Sequence, residues 1–346
     1  IDAGATHYTP VAGILPLREA IVARVAEETG QQRHPDEVIV GSGAKHVLYS
    51  LIQALIDPGD KVAFAAPYWV SYPSMVGLAG GQSVVIDTDA KHGFVPDLDA
   101  LAATLDEAKP KVFILNSPQN PTGAVYPAAT VDAIVDLCIA RDIVVISDEI
   151  YADLIFSERR HRSAFHRDSS ELRARIILVS GVSKNLAMTG WRIGWAVGPS
   201  EVIGAVKRIQ GHSTSGVCSI AQYAALAGLR AGHKPIDDMK AIFAERRRIL
   251  VDGLKAIDAV ELVTPGGAFY AFPDLSHYCR GSIDGEAISS DQDLARILLE
   301  RCGLAAVPGS AFGSPGCLRF SYSLPAEAIS EGLRRLSEGL QRWTAG

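Results

Sequence analysis

Along the first two thirds of the chain, short and nearly unbroken apolar runs alternate with longer segments in which apolar residues return every three or four positions. The runs are 61–65 (KVAFA), 82–87 (QSVVID), 111–115 (KVFIL), 143–147 (IVVIS), 175–180 (RIILVS) and 192–197 (RIGWAV). A run of Val, Ile, Phe and Ala without polar alternation predicts a strand covered on both faces. Residues 45–56, after a Gly-rich turn, and 128–141 carry the spacing of amphipathic helices. The succession predicts an α/β domain with a mostly parallel sheet.

The pattern changes after about residue 230. Residues 236–257 read as one long amphipathic helix, with Arg246, Arg247 and Arg248 as a solvated basic face. Next come VELVTP, GGAFYAF, a helix at 291–301, LAAVPGSAFG, CLRFSYS and a helix at 325–339. This is α+β patterning, and it predicts a large domain over 1–247 and a small one over 248–346.

Composition narrows the function class. The 346 residues are 48% hydrophobic and 21% charged, which excludes a disordered chain. A folded chain of this size exposes roughly 13,500 Å² and buries about three quarters of its extended surface. Against 39 acidic residues stand 33 basic ones, net charge -6, without the basic surplus of a nucleic-acid binder. No apolar run reaches the length of a membrane span. The five cysteines form no C-x-x-C pair, so reduced thiols and a cytoplasmic location are expected. The opening IDAG reads as the last turn of a helix, and IDAGATHYTP lacks the basic-then-apolar order of a signal peptide.

Five features fall at the ends of the expected elements. GSGAKHVLYS (41–50) places glycines before a helix, a source of free backbone N–H groups for a phosphate, or else an ordinary helix start. APYWVSY puts Tyr68, Trp69 and Tyr72 after a strand, to pack or to stack on a planar ligand. NSPQNPTG (116–123) is a structured loop whose Asn116 and Asn120 can offer amides to a ligand. Asp148 follows the run IVVIS, where a buried acid is costly without a cationic partner. Lys184 lies in a small-residue loop after RIILVS, with Arg192 eight residues on. A lysine opposite a buried acid suggests an amine that forms a Schiff base, though a surface salt bridge would also suit it.

PYWVSYPSM, NSPQNPTGAVY, SDEIY, SKNLAMTGWRIG, GGAFY and LRFSY occur in this order along the chain. In that order the chain resembles the pyridoxal-phosphate-dependent aminotransferases of the aspartate aminotransferase superfamily, and more closely their bacterial aspartate aminotransferase branch, over essentially its whole length. The resemblance implies fold type I: a three-layer αβα large domain with a mostly parallel seven-stranded sheet, and a small α+β domain. It implies that Lys184 bonds covalently to pyridoxal 5'-phosphate and moves the proton at the substrate Cα. Asp148 would pair with the pyridine nitrogen, keeping the ring an electron sink. Tyr151 and Asn120 would bind the phenolic oxygen, and Trp69 would stack on the ring. Arg192, the backbone of Gly43 and Ala44, and the hydroxyls of Ser180 and Ser183 would hold the phosphate. Arg319 would grip the substrate α-carboxylate as a bidentate fork, with Asn120 and Trp69 beside it. Lys45 would meet a distal carboxylate, pointing to aspartate or glutamate with 2-oxoglutarate. Tyr8 would reach the phosphate in a partner subunit, so a homodimer with shared sites is implied, with no nucleic acid, membrane or metal.

Two departures stand out. Many relatives carry a hydroxyl three residues before the lysine, where this chain has Gly181, and several carry Gln where it has His212. Residues 213–215 would line the partner's site. Aromatic or prephenate transamination and C–S β-lysis are the competing activities on this scaffold. Lys184, Asp148 and Arg319 argue against a non-catalytic binding module.

Overall fold

The computed structural model describes residues 1–2 and 4–345. The large domain opens with α1 (Leu15–Thr29), β1 (Val38–Gly41), α2 (Ala44–Leu55), β2 (Lys61–Ala65), α3 (Ser71–Leu78), β3 (Gln82–Ile86) and α4 (Leu98–Ala108). It continues through β4 (Val112–Asn116), α5 (Ala128–Ile139), β5 (Val144–Asp148), α6 (Ser170–Arg175), β6 (Ile176–Gly181), α7 (Val182–Asn185), β7 (Gly194–Val197), α8 (Ser200–Gly211) and α9 (Ser219–Arg230). The strands form one seven-stranded sheet in the order β1-β7-β6-β5-β4-β2-β3. Only β7 runs against its neighbours, pairing antiparallel with both β1 and β6.

Alternation along the strands explains why the apolar runs are unbroken. Val38, Val40, Ala63, Phe113, Leu115, Val145, Leu178 and Trp195 enter one core with residues of α1, α4, α5 and α9. Ile39, Val62, Phe64, Val112, Ile114, Ile146, Ile177 and Ala196 enter the other with α2, α3 and α8. Both faces are covered along the inner strands, which must therefore be apolar at even and odd positions alike. The run 82–87 departs from the double cover expected of it, because β3 lies at the sheet edge with Gln82, Ser83 and Val85 exposed.

A third core holds the small domain together. It comprises α10 (Lys234–Lys255), β8 (Tyr270–Ala271), β9 (Gly281–Ile283), β10 (Glu286–Ile288), α11 (Asp291–Cys302), β11 (Val307–Pro308), β12 (Leu318–Ser321), α12 (Ala326–Gln341) and β13 (Trp343–Thr344). The strands make two three-stranded sheets, β10-β9-β13 and β11-β12-β8. Phe243, Leu250 and Leu254 of α10 all enter this core, so one unbroken helix spans the expected division at 247/248. Arg248 of its basic cluster pairs with Glu245 and Asp252, whereas Arg247 donates to the carbonyl of Pro265.

Three expectations change. The run 192–197 becomes a strand only from Gly194, because Arg192 turns into the left-handed region at φ 56°. Asp148 is the last residue of β5 rather than the residue after it. β1, a four-residue strand, escapes the pattern through its shortness. The opening IDAG contains Ala3, which lies outside the described residues. All five cysteines are free. Among the described residues no helix is long and apolar enough to cross a membrane.

Gly194 sits where β1, β7 and β6 meet, opposite Gly41 on one side and Gly181 on the other. A Cβ there would overlap the backbone of Gly43 and Ala44 at the start of α2. Gly194→Ala is expected to cost about 1–3 kcal/mol in urea unfolding, the usual range for overpacking a tight contact. An unchanged midpoint would mean that α2 can move away at no cost.

Candidate active site

Parallel strands deliver their carboxyl ends to one edge of the sheet, and the side chains that matter stand there. Gly43 follows β1, Trp69 follows β2, Asn116 ends β4 with Asn120 just beyond, Asp148 ends β5 and Lys184 follows β6. Arg192 joins them because β7 runs the opposite way and so begins at that edge. The small domain supplies Tyr270 from β8 and Arg319 from β12. All of these but Gly43 line a cavity of about 310 Å³ that also contacts Ala44, Lys45, Leu48, Tyr72, Ile150, Tyr151, Ser183 and Thr189.

Asp148 is 3% exposed. Its Oδ2 accepts a 2.7 Å hydrogen bond from the Tyr72 hydroxyl, and its Oδ1 a 3.3 Å bond from the Ile150 amide. Among the described residues no cation pairs with it. Burial pushes its carboxyl up to about 6, against the pull of those two donors and of Lys184. Lys184 is displaced downward, chiefly by burial and then by the Arg192 and Arg319 charges. A lysine shifted this way gives up its proton more readily and is the better nucleophile for it.

Around this pair lies a frame of directed bonds. The Asn116 amide donates to the Asp148 carbonyl at 2.9 Å, and its oxygen accepts from the Asn120 amide nitrogen at 3.1 Å. The Asn120 side-chain oxygen in turn accepts from Arg319 Nη1 at 2.8 Å. The Arg319 guanidinium lies 4.5 Å from the Tyr270 ring centroid and 4.9 Å from that of Phe312. The Lys45 ammonium stands 4.9 Å from the Trp69 ring centroid. Behind β5, the neighbouring Glu149 is buried and paired with His161 at 2.8 Å.

Glycine shapes the anion end. Gly43, at φ 86°, caps α2 with no side-chain partner, leaving the first N–H groups of a 12-residue helix free. A Cβ on it would overlap the Arg192 guanidinium. The Arg192 fork is held by the carbonyls of Thr189 at 2.8 Å and Ser42 at 3.4 Å. The helix start and this arginine converge on one place, which suits a phosphate.

Of the residues expected here, Ala44, Lys45, Trp69, Asn120, Asp148, Tyr151, Ser183, Lys184, Arg192 and Arg319 all line the cavity, and Gly43 abuts it. Ser180 does not reach it. Along β6, Leu178 faces the α1/α9 core and Val179 the α2 core, so alternation turns Ser180 away from the α2 start. Gly181 cannot carry the hydroxyl of other relatives, since a Cβ would press on the Ile193 carbonyl and the Gly194 backbone. Tyr8 is 99% exposed, away from the cavity of its own subunit. His212 caps α8 and is exposed with 213–215. Sequence reasoning missed Tyr270 and Thr189. The GGAFY motif was the available signal for Tyr270, but spacing alone does not say which of its aromatics faces the cavity.

The upward shift of Asp148 carries a stability consequence. Below pH 4 the carboxyl is protonated in folded and unfolded chains alike. Between pH 4 and 6 the unfolded chain ionises first, so stability falls, and above pH 6 the penalty is constant at about 3 kcal/mol. In the cofactor-free protein, Asp148→Asn is therefore expected to be roughly neutral at pH 4 and stabilising by up to about that amount at pH 8 in urea melts. A difference that does not vary with pH would contradict the burial of this charge.

Residues 2–336 match the family model for aminotransferase class I and II. The chain is 39% identical to aspartate aminotransferase of Geobacillus stearothermophilus over 97% of its own length and 84% of that protein. It is 41% identical to the aspartate/prephenate aminotransferase of Cereibacter sphaeroides, over 97% of its length and 84% of the other. The structure of aspartate aminotransferase from Thermus thermophilus with maleate superimposes with a TM-score of 0.90 at 38% identity, covering 98% of this chain and 85% of that one. With the strand-end cavity, its lysine and its buried acid, these likenesses place the chain in the class I and II aminotransferases, pyridoxal-phosphate-dependent enzymes of fold type I in the aspartate-aminotransferase-like family.

Proposed function

We propose that the chain transfers amino groups between dicarboxylic partners, aspartate or glutamate with 2-oxoglutarate, in two half-reactions. The observation that carries this reading is the pair of cations, Arg319 and Lys45, that line one cavity with Lys184 and Asp148. Arg319, its fork steadied by Asn120, would take the α-carboxylate. Lys45, held over Trp69, would take the distal one. The relatives agree with a two-carboxylate ligand: the Thermus thermophilus structure holds maleate, and the Cereibacter sphaeroides relative is an aspartate/prephenate aminotransferase.

The residues present fit pyridoxal phosphate. A buried carboxylate without a cationic partner among the described residues suits a protonated ring nitrogen, and the Gly43 cradle with Arg192 suits a phosphate. When bound, the cofactor supplies an electron sink for the carbanion left at the substrate Cα. Lys184 would hold it covalently, then take the proton from Cα and return it on the other side of the transfer. Asp148 would keep the ring nitrogen protonated, and that positive charge would draw its own carboxyl back below 6. Tyr151 and Asn120 would meet the phenolic oxygen, Trp69 would cover the ring, and Ser183 and Ala44 would complete the phosphate site.

The homodimer belongs to this proposal. Accessible surface is 14,911 Å², against roughly 13,500 Å² for a monomer of this mass. Tyr8, Leu78, Trp191 and Tyr223 stand exposed. Tyr8 and 213–215 would complete the neighbour's cavity across a two-fold axis. Sedimentation is expected to give a dimer, and a fully active monomer would refute the shared site.

The substrate is tested by half-reactions in a single turnover, following the bound cofactor's absorbance with aspartate, glutamate, prephenate, phenylalanine and alanine. Lys45→Ala is expected to lower kcat/KM for aspartate by about 10- to 100-fold more than for phenylalanine, the loss of one charged contact. Equal losses would remove the distal-carboxylate role. Ammonia and pyruvate formed from cystathionine without a 2-oxo acid would instead identify a β-lyase.

A further inference from the structure

Tyr270 occupies a position that nothing in the transamination scheme above uses. It belongs to β8 of the small domain and pairs with Ser321 on β12, the strand that carries Arg319. Its side chain is 7% exposed and lines the cavity. Its hydroxyl lies 2.9 Å from the hydroxyl of Tyr151, which comes from the large domain and is 4% exposed. Among the described residues each of these two hydroxyls has the other as its hydrogen-bond partner. The Tyr270 ring meanwhile supports the Arg319 guanidinium at 4.5 Å.

A phenolic hydroxyl has one proton to give and can accept others. In an isolated pair one proton bridges the two oxygens and the second has no protein partner. When Tyr270 gives its proton to Tyr151, the proton of Tyr151 is the free one, and Tyr151 borders the cavity. The ring of Tyr151 makes edge contacts with Phe269 at 5.5 Å and Tyr270 at 5.9 Å between centroids, which hold its hydroxyl oxygen in place at the cavity. A hydroxyl that accepts one hydrogen bond is polarised into a better donor for the next.

We propose that Tyr270 is a positioning residue for the reaction: its hydroxyl donates to Tyr151 and so directs the Tyr151 proton at the phenolic oxygen of the bound cofactor. The proposal rests on the cofactor placement given under the proposed function. It makes the small domain a participant in the chemistry of the large one, because β8 and β12 bring Tyr270 and Arg319 to the cavity together. The strand pair that presents the carboxylate-binding arginine also sets the donor strength of Tyr151.

The test uses the full-length holoprotein and reads the pH midpoint of the bound cofactor's visible absorbance. The proton that titrates is shared between the nitrogen on Lys184 and the phenolic oxygen. Once it leaves, the oxygen carries more negative charge, so a donor on that oxygen stabilises the deprotonated form and lowers the midpoint. Tyr270→Phe keeps the ring under Arg319 and removes only the hydroxyl. It is expected to raise the midpoint by about half a unit or more, and Tyr151→Phe to raise it further. In a Tyr151→Phe background, Tyr270→Phe is expected to add nothing, since its effect passes through Tyr151. Tyr322→Phe, which removes a buried hydroxyl from the same core, is expected to leave the midpoint unchanged.

A wild-type protein whose absorbance does not titrate would sink the cofactor placement itself. A titrating wild type that responds to Tyr151→Phe but not to Tyr270→Phe would overturn the role of Tyr270 alone. So would equal shifts from Tyr270→Phe with and without Tyr151, or a matching shift from Tyr322→Phe.

Discussion

The rest of this structure is arranged around one buried negative charge. Asp148 ends a central strand with 3% of its surface exposed and no cation in pairing reach among the described residues. Burial strips most of its solvation, and its carboxyl is pushed up to about 6 even with two hydrogen bonds. Folding tolerates such a charge only when a large core offsets it, and the two apolar layers on either face of the seven-stranded sheet provide that core. What is a cost in the free chain becomes binding energy once a cation arrives. The site is thus strained toward its ligand before the ligand is there.

Strand direction explains how so many groups converge on that charge. Six strands bring their carboxyl ends to the same edge, and the reversed β7 brings its amino end. That reversal puts Arg192 beside the start of α2. The three glycines Gly41, Gly194 and Gly181, side by side across β1, β7 and β6, let the helix start approach the sheet closely. The small domain adds Arg319 and Tyr270 across the opening, joined to the large domain by the Arg319–Asn120 and Tyr151–Tyr270 contacts. Polar groups that handle the ligand thus join the two domains, beside apolar contacts such as Phe94 against Phe272.

The parallel sheet was legible in the sequence because doubly covered strands leave short apolar runs, and here those runs alternate with segments of helical spacing. Lys184, Asp148, Asn120 and Trp69 were legible because each lies at or a few residues beyond the end of such a run, and the resemblance to a family then assigned their roles. Less was legible where local spacing and three-dimensional direction part company. Ser180 is close to Lys184 in the chain, yet strand alternation turns it to the far face. Arg192 looked like the first residue of a strand, but its left-handed backbone makes it a turn that reaches the phosphate end. Tyr270 sits in a motif with three aromatics in five residues, and only the pairing of β8 with β12 selects which one lines the cavity. β1 has four residues and no alternation to detect. Each failure is a question of which way a side chain points, and neighbours distant in sequence decide that.

The central claim is that Lys184, alone among the lysines, bonds to the cofactor opposite Asp148. Its most direct test is borohydride reduction of the holoprotein followed by peptide mapping of the fluorescent label. The account predicts one labelled peptide, spanning SKNLAMTGWR, with the label on Lys184. A label on Lys45 or any other lysine, or no label on a protein that visibly holds the cofactor, would contradict it.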